Sequence, residues 1–399
     1  MILKNVRILS EGQLVYKDIE VRDGVYYRIE DHIGEEGLDM KGLYLAKGLC
    51  DIHVHFREPG FTHKETIRTG SMAAAKGGFT TVFAMPNLNP VPDTLEHLEV
   101  EEDIIRKDAL IQVIPYGSVT MGEKGNEVSD IVSLSTKTRC FSDDGVGFHD
   151  YDVLRKALRI IKDRHLFIAS HAEDPVLLTK REGEYHAVER EIAIAAEIDV
   201  PYHFCHMSTK ESFDLIRKAQ RNGQPITCEV TPHHLFLNET DIESTNFKMN
   251  PPLRTIEDQK ETLKALLDGT ASIIATDHAP HSIEEKKREY AKAPNGIIGL
   301  ETSFPLVYTH LVKKNLATLS MVEKWMSDNP RRLTGLEPYE IKVGKEASFA
   351  LFDLEHGRTY QEDEILSIGK NSPFIGKTLY GFCRMTVYQG RKVYQNLED

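Results

Sequence analysis

GLCDIHVHFREPGF, residues 48–61, begins as a buried β-strand carrying two histidines, His53 and His55, on either side of one valine. Successive side chains of a strand point to opposite faces, so both imidazoles project the same way. Two polar rings on one face of a core strand need a partner that offsets their burial. The stretch also opens a series. From residue 48 onward, short β-rich runs alternate with longer stretches of helical period, the strands falling at 48–55, 79–84, 110–116, 138–142, 166–171, 201–206, 225–230 and 272–277. Such βα units predict an α/β fold, a (β/α)8 TIM barrel.

Between the strands, Phe213, Ile216 and Ala219, and likewise Leu154, Leu158 and Ile161, recur at helical spacing and read as core-facing stripes. Thr62-x-x-Glu65 and Ser208-x-x-Glu211 read as capping boxes, with Lys64 and Glu65 as capping and solvated charges, and Gly77-Gly78 and Gly223 as helix stops. Residues 1–47 and 341–399 differ, with short strands such as LVYKDIEV, ASFALFDL and MTVYQGRKVY between turns. The two chain ends are expected to meet as one small β-sandwich, leaving 48–340 as the barrel.

The balance of 49 Lys+Arg against 62 Asp+Glu gives a net charge of −13, which argues against nucleic acid or an anionic membrane as a partner. Lys4 and Arg7 interrupt what would be the apolar core of a signal peptide, and nowhere do eighteen apolar residues run together, so a cytoplasmic location is expected. The five cysteines form no C-x-x-C and read as buried reduced thiols.

Barrel enzymes keep their reactive groups at the C-terminal ends of the strands. Here strand 1 ends in His53 and His55, Asp143 and Asp144 follow strand 4, and strands 5, 6 and 8 end in His171, His206 and Asp277. Imidazoles and carboxylates clustered on one rim suit zinc or a similar divalent ion, because uncompensated they would repel and pay for desolvation. A catalytic ion takes about three protein ligands plus water, so six ligands match about two ions sharing a bridge. His233, His234 and His278 read as structural groups beside this set.

In order along the chain stand DIHVHFREPG, KETIRTG, AMPNLNP, FSDDGVG, SHAED, CHMSTKES, EVTPHHL, KMNPPLR, ATDHAPH and GIIGLETSFPLVYTH. With these motifs the sequence resembles the amidohydrolase superfamily, and within it the bacterial type I dihydroorotases. The resemblance implies a two-zinc hydrolase in which His53, His55 and Asp277 hold one ion, His171 and His206 the second, and Asp144 bridges them. Asp277 is implied as the catalytic acid/base. His55, Arg57, Asn87, Asn250, His281, Asn295 and Gly296 are implied to bind the substrate, Arg57 by gripping its carboxylate. The implied reaction is the reversible cyclisation of N-carbamoyl-L-aspartate to L-dihydroorotate in pyrimidine synthesis. A homodimer, and association with aspartate transcarbamoylase, would follow the same family. Two alternatives are a hydantoinase, dihydropyrimidinase or allantoinase, and a silent barrel partnering the transcarbamoylase.

Two departures stand out against this pattern. The connection from His171 to His206 is short, as if a helical crossover were trimmed, and Asn295 replaces a bulkier apolar residue. The charged stretch from His281 to Asn295 is expected to form a mobile loop over the ligand.

Overall fold

The structure, a computed structural model, describes residues 1–397. Eight parallel strands close a barrel: β1 Leu49–Val54, β2 Phe79–Ala84, β3 Gln112–Pro115 resuming at Gly117–Ser118, β4 Cys140–Ser142, β5 Phe167–Ser170, β6 Tyr202–Phe204, β7 Ile226–Val230 and β8 Ile273–Ile274. Each pairs in parallel with the next. The ring closes where Val54 bridges His278 and the His55 amide donates to the His278 carbonyl at 2.8 Å. Strands covered on both faces read as largely apolar runs, and β1 and β2 are buried at every residue, Asp51 and His53 included.

The surrounding helices present the expected stripes: Lys210–Arg221 buries Phe213, Ile216 and Ala219, and Tyr151–Asp163 buries Leu154, Leu158 and Ile161. Their caps differ from the sequence expectation. Thr66, not Thr62, caps the first barrel helix, sharing a capping box with Thr69. Glu65 is not a solvated charge; it is fully buried, accepting hydrogen bonds from Thr69, Ser367 and the Ile368 amide. Thr209, not Ser208, caps the helix after β6, its hydroxyl accepting from the Ser212 amide, while both hydroxyls donate to Glu184. The short connection from β5 to β6 still holds an 18-residue helix, Arg181–Ile198.

The chain ends meet as expected. Five strands from residues 2–47 and three from residues 349–395 make one eight-stranded sheet, joined where Ala46 pairs antiparallel with Ala350. The sheet folds over itself, with Val25 bridging Glu346, around a core that includes Leu3, Val6, Ile19, Tyr26, Phe349, Leu351 and Val387. Between its C-terminal strands, Tyr360, Ile365, Phe374 and Leu379 leave the sandwich and pack with Phe247, Met249 and Ile298 beside the barrel. That excursion brings residues 365–372 to the rim of the site.

Candidate metal centre and substrate cavity

The two histidines of β1 converge as strand alternation requires: His53 Nε2 and His55 Nε2 lie 3.5 and 3.0 Å from Asp277 Oδ1. Asp144 stands between the two histidine pairs. Its Oδ1 is 3.3 Å from His53 Nε2, 3.5 Å from His206 Nε2 and 3.7 Å from His171 Nδ1, while Oδ2 is 3.4 Å from His55 Nε2. Donors about 2.0–2.1 Å from a tetrahedral ion lie about 3.3–3.4 Å apart, the spacing observed here. His53 Nε2 and Asp144 Oδ1 are buried with no hydrogen-bond partner. The donor set therefore fits metal ions.

Neighbouring groups fix which ring nitrogen faces the centre. Glu229 accepts from His53 Nδ1 at 2.6 Å, leaving Nε2 with its lone pair. The Asn87 amide donates to the Asp144 carbonyl at 3.0 Å, which turns Asn87 Oδ1 toward His55 Nδ1 at 2.7 Å. Glu173 Oε2 lies 3.2 Å from His171 Nε2 and turns Nδ1 to the centre. Glu229 also accepts from the His206 amide at 3.2 Å and lies 3.2 Å from His203 Nε2. Glu229 and Glu173 were not singled out from the sequence. The signal was there for Glu229: a carboxylate inside the otherwise strand-like run PITCEV.

Electrostatics point the same way. Burial disfavours charge on His53, yet Asp144 and Glu229 outweigh it and push the ring well above its usual pKa. Burial likewise opposes ionisation of Asp144 and Asp277, and the facing imidazoles overcome it, holding both carboxyls below their usual range. The cluster thus attracts positive charge, which a proton meets only partly and a divalent ion meets fully. Cys205 also approaches His53 and Glu229, and burial drives its thiol well up. Three site residues, Arg57, His206 and Asp277, adopt left-handed backbone at φ of 60°, 32° and 48°. Such strain costs of the order of 1–3 kcal/mol per residue and gathers at functional sites.

A cavity of about 220 Å³ opens over the centre, and His55, Arg57, Asn87, Asp144, His171, Asn250, His206, Asp277, His281, Asn295 and Gly296 all line it. His53 lies behind it, fully buried. Burial lowers the Arg57 guanidinium to about 10, so it stays charged near neutrality. Asn250 donates to Glu173 at 3.0 Å, and its buried Oδ1 has no partner, which leaves a free acceptor on the cavity wall. Burial, with Arg57 and Lys64 beside it, lowers His281 to about 3; its Nε2–H donates to the Asn295 carbonyl at 2.7 Å. The Gly296 amide is taken by the Lys248 carbonyl at 3.0 Å. A Cβ at Gly296 would meet the Ala279 carbonyl at 2.7 Å, so only glycine lets the wall close there.

The stretch over the cavity contains the helix Ile283–Lys286, capped by Ser282. Lys286 Nζ holds the carbonyls of Pro294 and Gly296 at 3.1 and 3.0 Å. Other candidates lie outside the cavity. Asp143 accepts from the Val119 and Thr120 amides at 2.7 and 3.1 Å and shapes the loop before the bridge. His234 is held between Thr231 and the Pro251 carbonyl, and His278 Nδ1 accepts from the Gly299 amide. A larger cavity of about 750 Å³ opens at the opposite end of the barrel among Arg139, Phe167, Tyr202 and Leu333, away from all these residues. Among the described residues, no helix is long and apolar enough to cross a membrane.

The family described as "Dihydro-orotase-like" matches residues 42–188. The chain is 43% identical to the dihydroorotase of Bacillus cytotoxicus and 42% identical to that of Anoxybacillus flavithermus, each alignment covering 99% of this chain and 98% of the relative. Its fold is similar to that of the L-hydantoinase from Arthrobacter aurescens, with a TM-score of 0.88, 24% identity and coverage of 99% and 96%. Dihydropyrimidinase from Brevibacillus agri superposes with a TM-score of 0.87 at 22% identity, covering 99% and 95%.

Proposed function

The chain belongs to the dihydroorotase family, and from that premise we propose that its rim cavity interconverts N-carbamoyl-L-aspartate and L-dihydroorotate, with ring closure serving pyrimidine synthesis. The observation that carries the assignment to this cavity is the Arg57 guanidinium sharing its wall with Asp277 and the imidazole cluster. Dihydroorotate carries a ring carboxylate for that guanidinium, whereas hydantoin and allantoin offer none. The hydantoinase likeness is a likeness of fold.

His53, His55 and Asp277 would hold one zinc ion and His171 and His206 a second, with Asp144 between them. When bound, the ions supply Lewis acidity, polarising the ring amide carbonyl and lowering the pKa of the attacking water. Arg57 fixes the substrate carboxylate in a forked pair, and the unpartnered Asn250 Oδ1 accepts from a ring N–H. Glu229, Glu173 and Asn87 keep the imidazoles and Asp144 in place. Asp277 takes the proton of the attacking water and delivers it to the ring nitrogen as the C–N bond breaks, giving the open ureido acid. In reverse, Asp277 takes the ureido proton as that nitrogen attacks the carboxyl carbon of the acid and passes it to the departing hydroxyl, which leaves as water. The homodimer and association with aspartate transcarbamoylase are proposed from the family resemblance alone. Light scattering at the mass of one chain would remove the first.

The test is hydrolysis of L-dihydroorotate by zinc-reconstituted protein, beside hydantoin and allantoin, with Asp277→Ala as the blank. Turnover of dihydroorotate alone, absent from the blank in both directions, is the expected result. Hydantoin as the preferred substrate would overturn the substrate, and near-normal rates in Asp277→Ala would overturn the acid/base.

A further inference from the structure

The sandwich's C-terminal strands are separated by an excursion whose residue Asn371 is not among the residues lining the cavity, yet it holds the chain at three that are, Ala279, His281 and Gly296. Its Nδ2 donates to the Gly296 carbonyl at 2.9 Å and to the Ala279 carbonyl at 3.1 Å, while Oδ1 accepts from the His281 amide at 3.1 Å. The Asn371 carbonyl accepts from the Ile298 amide at 3.1 Å. One buried amide thus ties both ends of the stretch 279–298, where it leaves the barrel after β8 and where it returns. Each polar atom of the side chain is used, and each partner is a backbone group; the clamp acts beside the His281–Asn295 hydrogen bond, the Lys286 contact to the Gly296 carbonyl and the Ala279–Ile297 backbone bond.

The clamp is itself anchored. Glu65, at the start of the first barrel helix, accepts from Ser367 and from the Ile368 amide, and Glu301 accepts from the Leu366 amide at 2.7 Å. Lys370 Nζ holds the Ile365 and Ser367 carbonyls at 2.6 and 2.8 Å. Gly369 lets the two segments meet: a Cβ there would lie 2.6 Å from Asn371 Oδ1 and 2.8 Å from Pro280. The segment 365–372 is therefore rigidly mounted on the barrel and reaches over to the cavity wall.

We propose that Asn371 is a positioning residue for substrate binding, setting the width of the cavity mouth by fixing His281 and Gly296, and that the C-terminal excursion is thereby part of the substrate site. This rests on the dihydroorotate reading of the cavity. Because Asn371 makes no contact with the imidazole cluster or with the Asp277 side chain, its loss is expected to act on binding and to leave chemistry and metal content alone.

The test uses Asn371→Asp, which keeps the size and the acceptor for the His281 amide but turns an oxygen toward two carbonyls, and Gly369→Ala, which wedges the same contact from outside. Steady-state kinetics with dihydroorotate, zinc stoichiometry, and hydrogen exchange of residues 279–298 are measured on full-length, zinc-loaded protein. The expected result is KM raised about tenfold or more with kcat within twofold, unchanged zinc, and faster exchange at 279–298 only. Unchanged KM and exchange in both variants overturn the proposal, as does a parallel fall of kcat and zinc content. Faster exchange at 279–298 in a protein whose wild type turns over hydantoin and not dihydroorotate keeps the clamp and removes the substrate assignment.

Discussion

Glu229 shows how much of the proposed metal centre lies behind its ligands. The carboxylate is fully buried, contacts His53 Nδ1, His203 Nε2 and the His206 amide, and so touches one ligand ring and the backbone of another. A carboxylate behind a ligand histidine fixes the tautomer and raises the basicity of the ring, and losing such a partner typically costs about 10–100-fold in metal affinity. Glu229→Gln keeps the shape but not the charge. Competition with a chelating dye should show zinc affinity weakened by about that factor, with far-UV circular dichroism unchanged. Wild-type affinity in that variant would remove Glu229 from the centre. Asp143 is the opposite case: adjacent to the bridge in sequence, it faces backbone amides instead, and burial lifts its carboxyl to about 7.

At the scale of the element, the helix Arg181–Ile198 carries a carboxyl whose state depends on pH. Glu191 is buried against Ser170 and Tyr202, with hydrogen bonds of 2.7 and 3.0 Å to one oxygen and none to the other. Burial raises it from 4.5 to about 7, the two hydrogen bonds offsetting only part of that. Between those values the folded chain keeps a proton that the unfolded chain has released. The group's stabilisation is therefore full below about pH 4.5 and is lost as pH rises through about 7. A shift of this size is worth up to about 3 kcal/mol. Glu191→Gln is neutral at every pH, so urea unfolding should place it near wild type at pH 5 and about 2–3 kcal/mol above it at pH 8. An equal difference at both pH values would mean that the carboxyl is charged in the fold.

For the whole molecule, the rim cluster sets a debt that folding alone does not discharge: buried donors face one another with lone pairs, and His53 Nε2 and Asp144 Oδ1 have no partner. A ligand that binds only the folded state stabilises it by about 4 kcal/mol at a thousandfold excess over Kd. Stripping metal with a chelator should lower Tm by several degrees, and zinc should restore it; an unchanged Tm would show that the centre folds without a cation. The sequence determined the barrel, the inward pair His53 and His55, and the strand-end positions of Asp144, His171, His206 and Asp277, because strand alternation and βα order are local and each strand delivers its last residues to one rim. It placed the helix caps only to within a few residues, since Thr66 and Thr209, rather than Thr62 and Ser208, stand where the extended backbone turns into each helix. Glu229 behind His53, 176 residues away, and Asn371 beneath His281, 90 residues away, were decided by tertiary structure alone. Barrel closure and the fold of the C-terminal excursion choose which distant chain segment meets each ligand, and no local pattern carries that information.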